Sequence, residues 1–143
     1  MEENLQSSEK IELDFKESMY ATGRRKTSIA KIWLKKGTGK IFVNGKNFQD
    51  YFTSDTHKMQ ILRPFEIIDQ ATQYDVRCQV IGGGHTGQAG AMVHGISRAL
   101  VKFDENFKTT LRKEKLTTRD SRAVERKKPG RAKARKSYQF SKR

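Results

Sequence analysis

Positive charge is concentrated at one end of this chain. Between Arg112 and Arg143 stand 14 Lys or Arg against three acids (Glu114, Asp120 and Glu125), a net +11, while all 143 residues together carry +14. After Leu116 the only large apolar side chains are Val124, Tyr138 and Phe140. A segment so poor in apolar surface cannot offset its own ordering entropy, so the folded core has to come from what precedes it. A basic segment of this density needs a polyanion to order it, and phosphate is the obvious one. Fully extended, residues 117–143 reach ~90 Å.

Nearly all aromatic and branched apolar residues fall between Tyr20 and Leu111. About 90 residues suffice for one modest core. Three units are therefore expected: a leader over 1–19, a folded body over 20–111 and a basic tail over 112–143. The leader has six acids and two Lys, opposite in sign to a secretory or mitochondrial targeting segment. Within it Ile11, Leu13 and Phe15 alternate as at the start of a strand. No apolar run approaches the ~18–20 residues of a membrane span. The single Cys78 rules out an intramolecular disulfide. A soluble, cytosolic protein without a membrane partner is expected.

In the body, Ser28–Trp33 is β-branched enough for a strand, and Lys40–Val43 reads as a second. Gly37-Thr38-Gly39 between them predicts a hairpin. Asn44-Gly45 suits a tight turn with positive φ. Phe48, Tyr51 and Phe52 recur at helical spacing, so one or two short helices are expected over Asn47–Met59, with Pro64 as a breaker. Tyr74–Ile81 alternates as a half-buried strand. From Gly87 to Phe103, apolar residues recur every three or four positions, which predicts an amphipathic helix with Thr86 as N-cap. Gly90 and Gly95 cost roughly 1 kcal/mol each inside a helix and point to close helix–sheet packing. A further short helix is expected over Asn106–Lys115.

Gly82-Gly83-Gly84-His85-Thr86-Gly87 fits G-x-G-x-x-G between a strand and a helix. A dinucleotide fold then needs another parallel strand ending in an acid, and the sequence after Phe103 is charged instead. Two readings stay open: Gly83 and Gly84 offer backbone N–H groups to an RNA phosphate, or the glycines make a tight turn without ligand. Arg24, Arg25 and Lys26 sit on a pleated segment beside Thr27 and Ser28, a pattern suited to phosphate-backbone contacts. His57, His85 and His94 lack chelating spacing, so no metal is expected. Cys78 and the aromatics Trp33, Phe42, Phe48 and Phe52 read as core. In the tail, Arg119, Arg122, Arg126, Lys127, Lys128, Arg131, Lys133, Arg135 and Lys136 are candidate RNA contacts. Small residues among them let a backbone lie close in a groove, and Tyr138 and Phe140 offer rings for stacking.

Seven motifs occur in order: Thr22-Gly-Arg-Arg-Lys-Thr27, Val43-Asn-Gly45, Gly82-Gly-Gly84 with Gly87-Gln-Ala-Gly-Ala91, His94-Gly-Ile-Ser-Arg-Ala-Leu100, Leu116-Thr-Thr-Arg-Asp120, Val124-Glu-Arg-Lys-Lys128 and Gln139-Phe-Ser-Lys-Arg143. In these the chain resembles the family of the ninth protein of the small ribosomal subunit, in its bacterial or organellar form. The resemblance implies an α+β fold: a mixed sheet with helices on one face, a left-handed β-α-β crossover and a long basic C-terminal tail. It implies a non-enzymatic constituent of the small-subunit head, partnered by small-subunit rRNA and neighbouring ribosomal proteins. It also places Lys142 and Arg143 close to the P-site tRNA. No cofactor and no small-molecule substrate are expected. The alternative is a free-standing regulatory nucleic-acid-binding protein with the same electrostatics.

Overall fold

The computed structural model describes residues 17–70 and 72–141. The alternating Ile11, Leu13 and Phe15, as well as Ala71, Lys142 and Arg143, lie outside the described residues. The fold is α+β. Strands β1 (Met19–Arg25), β2 (Ser28–Lys36), β3 (Ile41–Val43), β4 (Lys46–Asn47) and β5 (Tyr74–Ile81) form one mixed sheet in the order β1-β2-β5-β3-β4. Helices α1 (Phe48–Tyr51) and α2 (Asp55–Ile67) lie between β4 and β5, and α3 (His85–Phe103) and α4 (Phe107–Lys113) follow β5.

The expected hairpin between the second strand and Lys40–Val43 does not form. β5 lies between them, antiparallel to β2 and parallel to β3. The reason is non-local. The Asp75 carboxylate accepts the backbone N–H groups of Thr38 and Lys40, each at 2.9 Å. Gly37 N–H also donates to Gln73 O. A Cβ on Gly37 would sit 2.0 Å from an Asp75 oxygen, so only glycine lets the loop wrap the start of β5. β2 instead forms its hairpin with β1, in a register pairing Arg25 with Ser28. The Asn44-Gly45 turn is as expected, with φ of 51° and 82° closing β3 onto β4.

The helices cover one face of the sheet. Ala30, Ile32 and Leu34 from β2, Val76, Cys78 and Val80 from β5, and Met92, Ile96 and Leu100 from α3 are all buried there. Fully burying such side chains is worth ~1.5–3 kcal/mol each. Phe48 and Phe52 join this core. Trp33 and Phe42 do not: they are half-buried and alternate with the core positions of their strands, so they occupy the opposite face. Pro64 does not break its helix; α2 runs through it to Ile67. Its missing N–H deprives only the Gln60 carbonyl, on the exposed side. Ile61, Pro64 and Phe65 are buried on one stripe, and their burial offsets the ~3 kcal/mol cost of an interior proline.

α3 starts two residues before the expected Gly87, and Gly84 rather than Thr86 is its N-cap. Thr86 lies within the first turn, where its hydroxyl is 3.3 Å from His57 Nε2. The helix rests directly on β1. A Cβ on Gly95 would approach Ile32 Cγ1 to 2.6 Å and Gly23 N to 3.1 Å. A Cβ on Gly90 would meet the Arg25 side chain at 2.9 Å. Both glycines therefore serve close packing, as the sequence suggests. Beyond Lys113 no helix or strand occurs among the described residues, and most side chains there are exposed.

Candidate nucleic-acid interface

β1 is an edge strand, and cationic side chains of α3 satisfy its outer backbone groups. Arg98 Nη1 donates to Thr22 O at 2.7 Å and Lys102 Nζ donates to Tyr20 O at 2.9 Å. Arg24 N–H points at His94 Nδ1, 3.4 Å away. Such covering blocks pairing with another strand. It leaves Arg24 itself exposed, while Lys26 stands exposed in the β1–β2 turn with φ of 52°.

Arg25 plays a different part from its two neighbours. Its stem lies over Gly90, and its guanidinium reaches the first residues of the tail. Nη1 donates to Arg122 O at 2.5 Å, and Nη2 lies 3.4 Å from Asp120 Oδ2. Asp120 is also held by Arg122, whose Nη2 donates at 2.8 Å. Those hydrogen bonds, Arg122 foremost, hold the Asp120 carboxyl far below the usual carboxylate range. A depressed carboxylate pKa means the clamp is intact above the ordinary carboxyl range and is lost only in strong acid. Leu116, just ahead, packs against the core. The root of the tail is thus fastened to the end of β1.

His94 is the second fastening. Burial, and then Arg98, lower its pKa below the ordinary 6.5, with Arg119 acting the same way and a backbone hydrogen bond with Thr117 opposing them. The folded state holds the imidazole neutral while the unfolded chain protonates near the ordinary value. Stability should therefore fall as pH drops below about 6.5, down to the lowered folded value. His94→Gln should remove this part of the acid sensitivity, read as the difference between the two proteins' Tm from pH 7 to pH 5. An identical pH dependence in both would contradict it.

Further along, Glu125 takes ion pairs from Lys128 and from Arg135, the latter at 2.9 Å. Both lower its pKa. Arg131 Nη1 donates to Arg135 O and to Ser137 Oγ, each at 3.0 Å. Gly130, at φ 74°, supplies the reversal this requires. Arg126, Lys127, Lys133 and Lys136 are exposed.

The glycine turn packs against the start of β2. Gly82 O accepts from Ser28 Oγ and Gln88 Nε2, each at 3.1 Å. Gly82 and Gly83 have φ of 74° and 63°, and a Cβ on Gly83 would sit 2.1 Å from Ser28 Oγ. The turn reading therefore accounts for these two glycines. Gly84 has nothing within 4 Å of its Cβ position, and all three residues are exposed beside the Lys26–Thr27 turn. The fold thus gathers the Arg24–Lys26 cluster, the glycine turn and the tail root at one end of β1 and α3. The sequence reading missed the fastening of the tail. Its signal was an acid, Asp120, amid a run of cations.

A sequence model of the family described as ribosomal protein S9/S16 matches residues 23–143, from the start of the basic cluster through the tail. The chain belongs to this family. It is 55% identical to the small ribosomal subunit protein uS9 of Rickettsia canadensis (strain McKiel) over 131 residues, 92% of this chain and 81% of that protein. It is 54% identical to the uS9 of Rickettsia felis over 134 residues, 94% of this chain and 83% of that protein. The resemblance is thus of the bacterial type. The family is one of structural, non-enzymatic components. Its match takes in every candidate RNA contact named from the sequence, Arg24 to Arg143, and begins after the leader.

Proposed function

We propose that the chain is a structural constituent of the small ribosomal subunit, in the cytoplasm, that binds rRNA of the subunit head. The body and the tail take different parts. The body docks on folded rRNA through Arg24, Lys26 and the Gly83–Gly84 turn, and Arg25 aims the tail. The tail lies between phosphates, with neighbouring ribosomal proteins as further partners. The observation that carries this reading is a tail of net +11 whose root is clamped to a folded body, in a chain of the S9/S16 family. Clamping fixes where the polycation begins, which a nonspecific binder has no need to do. Cosedimentation of the tagged chain with small subunits in high salt tests it, and a chain released into the free fraction would count against it.

The end of the tail is assigned to the P-site tRNA. Lys142 and Arg143 lie furthest from the clamp along the chain, and backbone contacts position without reading bases. Deleting these two residues should leave subunits assembled and weaken P-site tRNA binding to a similar degree for different tRNAs. The measurement is tRNA binding to purified mutant subunits. Unaltered affinity with normal assembly would remove this assignment.

A further inference from the structure

We infer that the acidic leader folds back over the sheet face turned away from the helices, with Ile11, Leu13 and Phe15 laid across its rings. The register aligns Tyr20, Trp33, Arg77 and Phe42 in one row across β1, β2, β5 and β3. Tyr20 and Trp33 are in ring contact at 5.3 Å, and the Arg77 guanidinium lies over the Trp33 ring at 5.8 Å. Trp33 and Arg77 have interactions beyond these, as has Ser18 just ahead of β1, so this face is an engaged one.

Position, length and charge select the leader as the occupant. Phe15 precedes Tyr20, the first member of the row, by a short link. An alternating segment so close to β1 would ordinarily add to it as a further strand. Arg98 and Lys102 already hold the outer carbonyls of β1, which leaves the route over the face. The row is roughly 14 Å long at the usual strand spacing, and residues 11–15 span ~17 Å when extended. Crossing in this direction brings Phe15 to Tyr20 and Trp33, Leu13 to the Arg77 stem and Ile11 to Phe42. Lys31 and Lys35 flank Trp33 along β2, and the neighbouring Asp75 carboxylate accepts the Thr38 and Lys40 amides. Residues 1–19 carry six acids and two Lys. Glu12 and Asp14, between the apolar positions, thus bring opposite charge to these cations. The covalent tether makes the contact intramolecular, which favours the leader over a separate molecule of equal intrinsic affinity.

Trp33 is the only Trp in the chain, so its emission reports this face alone. The full chain is compared with a chain lacking residues 1–16 and with a full-length double substitution, Leu13→Ser with Phe15→Ser. Circular dichroism checks that the body is folded in each. Both changes should shift Trp33 emission to the red and remove its protection from quenching by acrylamide. Should the deletion cost the fold, the double substitution alone decides, because it alters no residue of the body. Unchanged emission and quenching in either folded variant overturns the inference. Protection that survives both changes but fades on dilution assigns the face to a second copy of the chain and overturns it as well. No RNA enters the measurement, so its failure leaves the RNA-binding reading standing.

Discussion

Removal of residues 117–143 should flatten the dependence of RNA affinity on salt more than any other change to this chain. Neutralising a phosphate releases counterions, and log affinity falls by about 0.7 per contact per log unit of salt on a single strand. Among the described tail residues, Arg122 pairs with Asp120, and Lys128 and Arg135 pair with Glu125. These ion pairs leave on the order of 6–8 tail cations for phosphate, so the log–log slope should drop by about 4–6. Between about 50 and 200 mM salt the full chain should lose two to four orders of magnitude in affinity, and the truncated chain far less. The cut spares Leu116, which packs on the core, and the body should stay folded. It should keep weak binding through Arg24, Lys26 and Arg25, whose guanidinium is freed when Asp120 and Arg122 are removed. Filter binding over a salt series measures this. An unchanged slope would mean that the body, not the tail, carries the electrostatic contacts.

Features written in local periodicity were legible in the sequence. β5 alternates, α3 repeats at three and four, and Asn44-Gly45 has the chemistry of its turn, so each was placed to within a few residues. The α+β class and the one-sided helical layer followed from the motifs. What failed depended on partners distant in the chain. The Gly37–Gly39 turn looks like a hairpin because its residues do not show that Asp75 will hold it open around β5. Trp33 and Phe42 looked like core because ring size does not say which face of a strand is covered, and β2 is apolar on both, with Ile29 and Trp33 alternating against Ala30, Ile32 and Leu34. The site divides in the same way. The expectation that Arg24, Arg25 and Lys26 meet phosphate rests on composition alone, whereas the binding of Arg25 to Asp120 spans 95 positions and has no local signature. The sequence leaves the glycine turn open to two readings, and the close approach of Gly82 to Thr27 and of Gly83 to Ser28 supplies the steric reason for those two glycines.

Gly23→Ala should be among the most destabilising single substitutions in the body, although it looks innocuous in sequence. Gly23 sits in extended β1, outside the positive-φ region, so alanine meets no backbone objection there and in the unfolded chain even reduces entropy. The obstacle is steric. A Cβ at this position would lie 1.9 Å from the Ala91 carbonyl oxygen and 2.3 Å from Gly95 N. Both are main-chain atoms of α3, which no rotamer change can move aside. The helix has to lift off β1, breaking packing along both elements, and the cost should reach about 3 kcal/mol, the upper end for overpacking. For a body of this size that lowers Tm by more than about 10 °C. Gly84→Ala is the control. A Cβ there has nothing within 4 Å and the φ of −101° suits any residue, so its net effect should be small by comparison. Lifting α3 also carries off His94, Arg98 and Lys102, which hold the outer edge of β1 and the tail root. Gly23→Ala should therefore expose the chain between Leu116 and Arg122 to proteolysis at temperatures where the Gly84→Ala protein is still protected. Equal Tm values for the two variants would show that α3 and β1 are not seated this closely.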